Sequence, residues 1–187
     1  MEVCTQKGVS AVQELSLHKL RHSDIDLFEE NFQSRVGASE YQWFGFWDTN
    51  KLRTRLDQDQ FIGSHDGALA VHLGEQTIGK VDWFTVNSWG RSNTSACWEI
   101  AIGLFAKHRG QGYGTVAQRL LVEYLFTHYP RHRIQATTAA ENLAENRVLE
   151  KLGFSREGVI RQSQWRDGAW HDQVIYSILR HEFSDET

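Results

Sequence analysis

The sequence predicts an α/β fold: one mixed, mostly antiparallel twisted sheet of about seven strands, flanked by about four helices. Three observations predict it. Residues 67–73 (GALAVHL) and 76–86 are strand-like runs separated by Gly74-Glu75, which reads as a hairpin. A strand at 96–105, a helix at 113–128, a short strand at 134–138 and a helix at 143–152 then alternate. Finally, Asp167-Gly168 separates strand-like runs at 158–166 and 170–180, a strong hairpin signal. A sheet with helices on both faces is the economical packing for that order.

The elements follow along the chain. Residues 13–20 (QELSLHKL) alternate at Leu15, Leu17 and Leu20 and read as the first strand. Ser23 before Asp24 and Asp26 reads as a helix N-cap with acids in the first turn. That helix carries Ile25, Leu27, Phe28 and Phe32, and a break is expected near Gly37. The run YQWFGFW at 41–47 has no clean period and is interrupted by Gly45, which suggests a structured loop. Residues 49–60 suit a short polar helix capped by Thr49, and 88–94 (SWGRSNT) suit a loop. In 113–128 and just beyond, Val116, Leu120, Leu121, Tyr124, Leu125 and Tyr129 keep helical spacing. The helix at 143–152 ends at Gly153 as a C-cap.

Composition narrows the function. A chain of 187 residues with 40% hydrophobic residues suits one domain with a real core. The expected halves are 1–94 and 95–183. The net charge of −4 argues against nucleic acid, which needs a basic face. No apolar run approaches a membrane span, and the N-terminus lacks the apolar core of a signal peptide. Cys4 and Cys97 form no CxxC pair, so a reducing cytoplasm is the natural setting. Cys97 reads as a small core residue. The nine histidines form no HxH or HExxH, and no metal is expected.

The informative segment is Arg109-Gly110-Gln111-Gly112-Tyr113-Gly114-Thr115, between a strand and an amphipathic helix. The glycines allow a tight turn and close approach to a ligand. The following helix aims its unpaired N–H groups and positive dipole end at the turn. Together these make an anion site suited to phosphate. A tight strand-to-helix connection is the plain alternative. The P-loop and dinucleotide patterns fit less well, because no Lys follows Gly114 and the turn comes late in the chain.

Arg-Gly-x-Gly-x-Gly in this setting resembles the coenzyme A signature of the GNAT superfamily of N-acetyltransferases. Asn142-Leu143-Ala144-Glu145-Asn146-Arg147-Val148-Leu149-Glu150-Lys151-Leu152-Gly153-Phe154, followed by Glu157-Gly158, is similar to a second block of the RimJ/RimL-type branch. The resemblance is specific over roughly 95–180 and architectural before that. It implies the GNAT fold, with the sheet splayed between its fourth and fifth strands, and acetyl-CoA as the donor. Backbone N–H groups of Arg109, Gly110, Gln111, Gly112, Tyr113 and Gly114, with the helix start at Thr115, would hold the pyrophosphate. Ile102 and Leu104 would pair with the pantetheine arm through their backbones, as an added strand would. Asn142 matches a cofactor-contacting position. Glu145 stands where the family often has Ser or Thr, which puts a hydroxyl role there in doubt.

Amine acetylation needs a base for the amine, a donor for the thiolate and support for the oxyanion. The family usually forms no acyl-enzyme. Glu99, in the apolar run Cys97-Trp98-Glu99-Ile100, is the leading base, able to relay a proton through water. The alternative is a structural carboxylate. Tyr176 is the candidate acid, or else a core aromatic. Trp43, Phe44, Trp83 and Trp98, with Phe46 and Trp47, are candidates to line an acceptor pocket, or else core. Asp48 and Asp82 could attract an ammonium group. The expected acceptor is a small primary amine, such as an amino-containing metabolite or antibiotic. The alternatives are a protein N-terminus and a non-catalytic acyl-CoA sensor. A homodimer is common in the branch.

Overall fold

The computed structural model describes residues 15–87, 90 and 95–183. Cys4, the start of the run at 13–20 and most of the loop at 88–94 lie outside the described residues. The element order is β1 (Leu15–Lys19), α1 (His22–Phe32), α2 (Arg35–Ala38), α3 (Thr49–Asp59), β2 (Asp66–Leu73), β3 (Gln76–Val86), β4 (Cys97–Leu104), a 3-10 turn (Ala106–His108), α4 (Tyr113–His128), β5 (Arg133–Ala139), α5 (Leu143–Lys151), β6 (Ser155–Arg166) and β7 (Ala169–Leu179). The seven strands form one sheet in the order β1-β2-β3-β4-β5-β7-β6. The pairs β1–β2, β5–β7 and β6–β7 are antiparallel, whereas β4–β5 is parallel. The β4–β5 ladder is short, registered at Trp98 with Ile134 and at Glu99 with Gln135. By contrast, β5 pairs with β7 from Arg133 through Ala139.

The helix ends differ in detail from the sequence expectation. Ser23 lies inside α1, because the Asp24 carboxylate reaches back to the Arg21 N–H at 2.8 Å and moves the start to His22. The break at Gly37 is instead the short helix α2, capped by Ser34, whose Oγ accepts from the Gly37 N–H at 3.0 Å. Asp48, not Thr49, caps α3 and accepts from the Asn50 N–H at 3.0 Å. With α2 the described α-helices number five rather than about four. Other signals act as read. Gly153 takes φ +84°, the Phe154 N–H returns to the Leu149 carbonyl at 3.0 Å, and α5 stops in a Schellman turn. Asp167 and Gly168 both take positive φ, as the two-residue hairpin requires.

The chain divides into two compact units that interleave along the sequence. One is Met1–Asp82 with Ile102–Leu121, and the other is Trp83–Ala101 with Val122–Thr187. The first is centred on Ile25, Phe28, Phe32, Leu56, Phe61, Ala70 and Phe105. Phe28, Phe32 and Phe105 form an aromatic triangle with centroids 5.2–6.2 Å apart. Phe28 is 1% exposed, so Phe28→Ala is expected to cost about 3–5 kcal/mol, from lost transfer energy plus the cavity. Urea unfolding monitored by tryptophan fluorescence checks this.

The same unit buries a polar chain. The Thr77 hydroxyl donates to Asp24 Oδ1 at 2.6 Å and lies 3.1 Å from His72 Nε2. With that hydroxyl proton committed to Asp24, His72 must donate from Nε2, which assigns its neutral tautomer. Burial pulls the His72 pKa below its usual value, reinforced by His18 and Arg21 and opposed by Asp24 and Glu75. The unfolded chain therefore takes up this proton first as pH falls through about 6.5. The stability His72 contributes is full above that pH and declines below it, until its lower folded pKa is passed. His72→Gln should flatten the fall in Tm between about pH 7 and 5. An unchanged slope would assign that fall to other groups.

The second unit packs Trp83 against Tyr124 and Tyr129 at 5.7 and 6.5 Å, and Trp98 against Tyr129 at 5.3 Å. Arg131 lies over Trp98, 5.1 Å from the ring centroid. The Arg180 guanidinium donates to the carbonyls of Phe126, Tyr129 and Arg131, capping the end of α4, whose last carbonyls have no helical partner.

Candidate active site

In the first unit, β4 delivers the chain to the glycine turn. The Phe105 N–H donates to the Ile78 carbonyl at 2.9 Å, and the 3-10 turn brings Arg109 to the corner. Gly110 and Gly112 take φ +73° and +85°, a region that L side chains rarely adopt. A Cβ added at either would meet no protein atom within 4 Å. The backbone there is thus open to a ligand as well as dependent on glycine. Gly114 is different: its φ is not positive, and an added Cβ would sit 3.8 Å from a Leu104 methyl. The helix begins at Tyr113, two residues before Thr115, with the Tyr113 side chain buried. The Thr115 N–H closes onto the Gly112 carbonyl at 3.1 Å. An open two-glycine turn at the positive end of a 16-residue helix is an arrangement able to hold an anionic group.

The Gln111 and Arg109 side chains are engaged by main-chain carbonyls. Gln111 Nε2 donates to the Lys107 carbonyl at 2.9 Å. Arg109 Nε donates to the Leu104 carbonyl at 2.9 Å, and its other nitrogens reach the carbonyls of Val36 and Gly37. Burial pulls the Arg109 pKa below its usual value. The Ile102 carbonyl accepts from Gln42 Nε2 at 2.7 Å. The carbonyls of Ile102 and Leu104 thus each accept from a side chain, Gln42 and Arg109 respectively.

In the second unit, Glu99 is held by two uncharged donors. Gln135 Nε2 donates to Oε2 and Thr137 Oγ1 to Oε1, both at 2.8 Å. Gln135 in turn accepts from the Cys97 thiol at 3.3 Å. Burial, its largest influence, pushes the Cys97 thiol pKa up, so Cys97 is a protonated core residue. Glu99 is half-buried and thus retains access on one side. Gln135 and Thr137 were not singled out from sequence. Their spacing of two on a buried strand places both on one face, and that polar alternation was the available signal.

The other candidates separate cleanly. Asn142 caps α5, accepting from the Glu145 N–H at 3.3 Å and donating to Thr138 Oγ1 at 3.3 Å. Tyr176 is 1% exposed, and its hydroxyl donates to Glu150 at 3.2 Å. Burial first and Glu150 second raise its pKa. Trp83 and Trp98 are each 1% exposed, so these two pocket candidates are core side chains on the inward positions of β3 and β4. In the first unit Trp43 is half-buried and meets Phe46 edge-on at 5.3 Å, whereas Phe44 and Phe46 are 61% and 83% exposed. Asp82 is paired with Lys80 at 2.6 Å, whereas Asp48 is exposed and caps α3.

Comparison with known proteins bears on this geometry. A family model described as an acetyltransferase (GNAT) domain matches residues 14–155. A probable N-acetyltransferase of Bacillus subtilis, YjcK, is 43% identical over 129 residues, covering 69% of this chain and 67% of that protein. Two further Bacillus subtilis relatives, both uncharacterized N-acetyltransferases, align over about half of their own length. Among solved structures, spermidine N-acetyltransferase from Vibrio cholerae in complex with CoA and spermine has a TM-score of 0.77 at 20% identity, covering 90% of this chain and 97% of that one. The ribosomal alpha-N-protein acetyltransferase RimL in complex with coenzyme A also has a TM-score of 0.77, at 14% identity, covering 96% and 98%. With the family model across most of the chain and a relative 43% identical over two thirds of both proteins, the chain belongs to the GNAT family of N-acetyltransferases, whose acyl donor is acetyl-CoA.

Proposed function

We propose that this GNAT enzyme transfers the acetyl group of acetyl-CoA directly to a small primary amine, with Glu99 as the base. The observation that carries the reading is the Glu99 carboxylate held by the neutral Gln135 and Thr137 donors. Such donors fix the direction of the carboxylate. The neutral amine attacks the thioester carbonyl, and its proton passes to Glu99 through water. The C–S bond then breaks and the thiolate takes up a proton. Arg109 to Gly114 would hold the pyrophosphate, and Asn142 would meet the cofactor from the head of α5. The Tyr176 hydroxyl, spent on Glu150, is not assigned to this path. The exposed Phe44 and Phe46 support an acceptor with a compact apolar part. The reading places the enzyme in the cytoplasm, with the buried Cys97 thiol reduced.

A protein N-terminus is the second reading. It draws on Trp165 and Trp170, 54% and 59% exposed at the β6–β7 turn, where a peptide could lie. Along the same edge strand, exposed Val159 and Ile160 support a homodimer, which light scattering would test.

The functional test is thiol release from acetyl-CoA across a panel of small amines and N-terminal peptides, with products weighed by mass spectrometry. Acetylated small amines are expected. Acetylated peptides alone would move the assignment to the second reading. Acetyl-CoA binding without thiol release would make the chain a sensor.

A further inference from the structure

Arg109 sits in the glycine turn, yet its side chain serves a different segment. Three of its N–H groups reach main-chain carbonyls in two parts of the first unit. Nε takes Leu104, at the end of β4, at 2.9 Å, while the terminal nitrogens take Val36 at 3.2 Å and Gly37. Val36 and Gly37 belong to α2, a helix of four residues. A helix that short has no stability of its own, and its last carbonyls lack intrahelical partners. Arg109 is therefore the C-terminal cap of α2, as Arg180 is for α4. On its other side α2 is pressed against α1, where a Cβ on Gly37 would lie 1.8 Å from the Asn31 carbonyl oxygen.

The chain leaves α2 directly into the aromatic loop. Gln33 clips the base of that loop by donating to the Trp47 carbonyl at 2.7 Å and accepting from the Trp47 N–H at 3.4 Å. Gln42 ties its middle to Ile102 on the donor strand at 2.7 Å. The loop's outer side chains, Phe44 and Phe46, make no comparable anchor and stay exposed. Gln42 and Arg109 both attach this segment to the donor side of the unit, and the larger set of these bonds issues from the turn itself.

We propose that Arg109 is a positioning residue that couples donor seating to the acceptor-side segment, so that coenzyme A bound at 110–114 orders residues 35–47. The proposal rests on the coenzyme A reading of the turn. Ligand contact with the turn backbone holds the Arg109 main chain in place. The guanidinium carries that constraint to the carbonyls of α2 and on to the aromatic loop.

Hydrogen–deuterium exchange with coenzyme A as the probe tests this without turnover. In the wild-type protein, coenzyme A is expected to slow exchange at 110–116 and, by about fivefold, at 35–47. Arg109→Met should keep the protection at 110–116 and lose it at 35–47. Gln42→Ala, an exposed change that leaves the turn intact, should lose it around 40–44 only. Protection of 35–47 that persists in Arg109→Met would overturn the coupling, as would wild-type protection confined to the turn. Absence of protection anywhere would instead sink the coenzyme A reading on which the coupling rests.

Discussion

Gly112→Val is expected to weaken coenzyme A binding by at least about tenfold while the protein stays folded. Gly112 holds φ +85°, and nothing lies within 4 Å of a Cβ placed there. The added Cβ therefore meets open space. Its penalty is conformational, roughly 1–2 kcal/mol for an ordinary residue forced into the left-handed region and more for a β-branched one. The turn escapes that penalty by rotating its peptides, which turns the N–H groups away from the pyrophosphate. Stability should fall by only a few degrees in Tm. Gly114→Ala is the internal control. Its φ is not positive and its Cβ meets only a Leu104 methyl at ordinary contact distance, so binding should change by less than about twofold. Titration calorimetry with coenzyme A compares the two. Equal losses in both variants would show that helix entry, not the two-glycine turn, sets affinity.

Glu99→Gln is expected to lower turnover at neutral pH by about a hundredfold and to leave coenzyme A affinity within about twofold. The change keeps shape and removes the charge. Its amide oxygen can still accept from Gln135, and the Thr137 hydroxyl can rotate to accept from the new NH2. The network therefore survives, and so should the Tm. That separates chemistry from scaffolding. If Glu99 only tied β4 to β5, the variant would keep its turnover. If it is the base, kcat falls while donor binding does not.

Much of the fold was legible in local sequence. The Gly74-Glu75 and Asp167-Gly168 turns, the amphipathic spacing of 113–128 and the stop at Gly153 act through a few neighbouring residues. Each is decided by backbone sterics or by one apolar face. Helix starts were less legible, because Ser23, Asp24, Asp48 and Thr49 can all cap, and the choice turns on which carboxylate reaches which N–H. The short α2 was hidden for a different reason. Four residues carry no periodicity, and its end is satisfied by Arg109, more than seventy residues away. Trp83 and Trp98 show the same limit, since an aromatic side chain serves a pocket or a core equally well until its neighbours are known.

By itself the sequence determined the family of this protein, through a glycine turn at a helix start followed by the Asn142–Phe154 block that resembles the GNAT pattern. Short segments with strict backbone requirements suffice for that, because a positive φ or a helix N-terminus is a local property. Only the tertiary structure decided which polar groups meet. It brought Gln135 and Thr137 onto Glu99, committed Tyr176 to Glu150, buried Trp83 and Trp98, and turned Arg109 toward α2. The physical reason is that hydrogen-bond partners distant in sequence are chosen by strand register and packing.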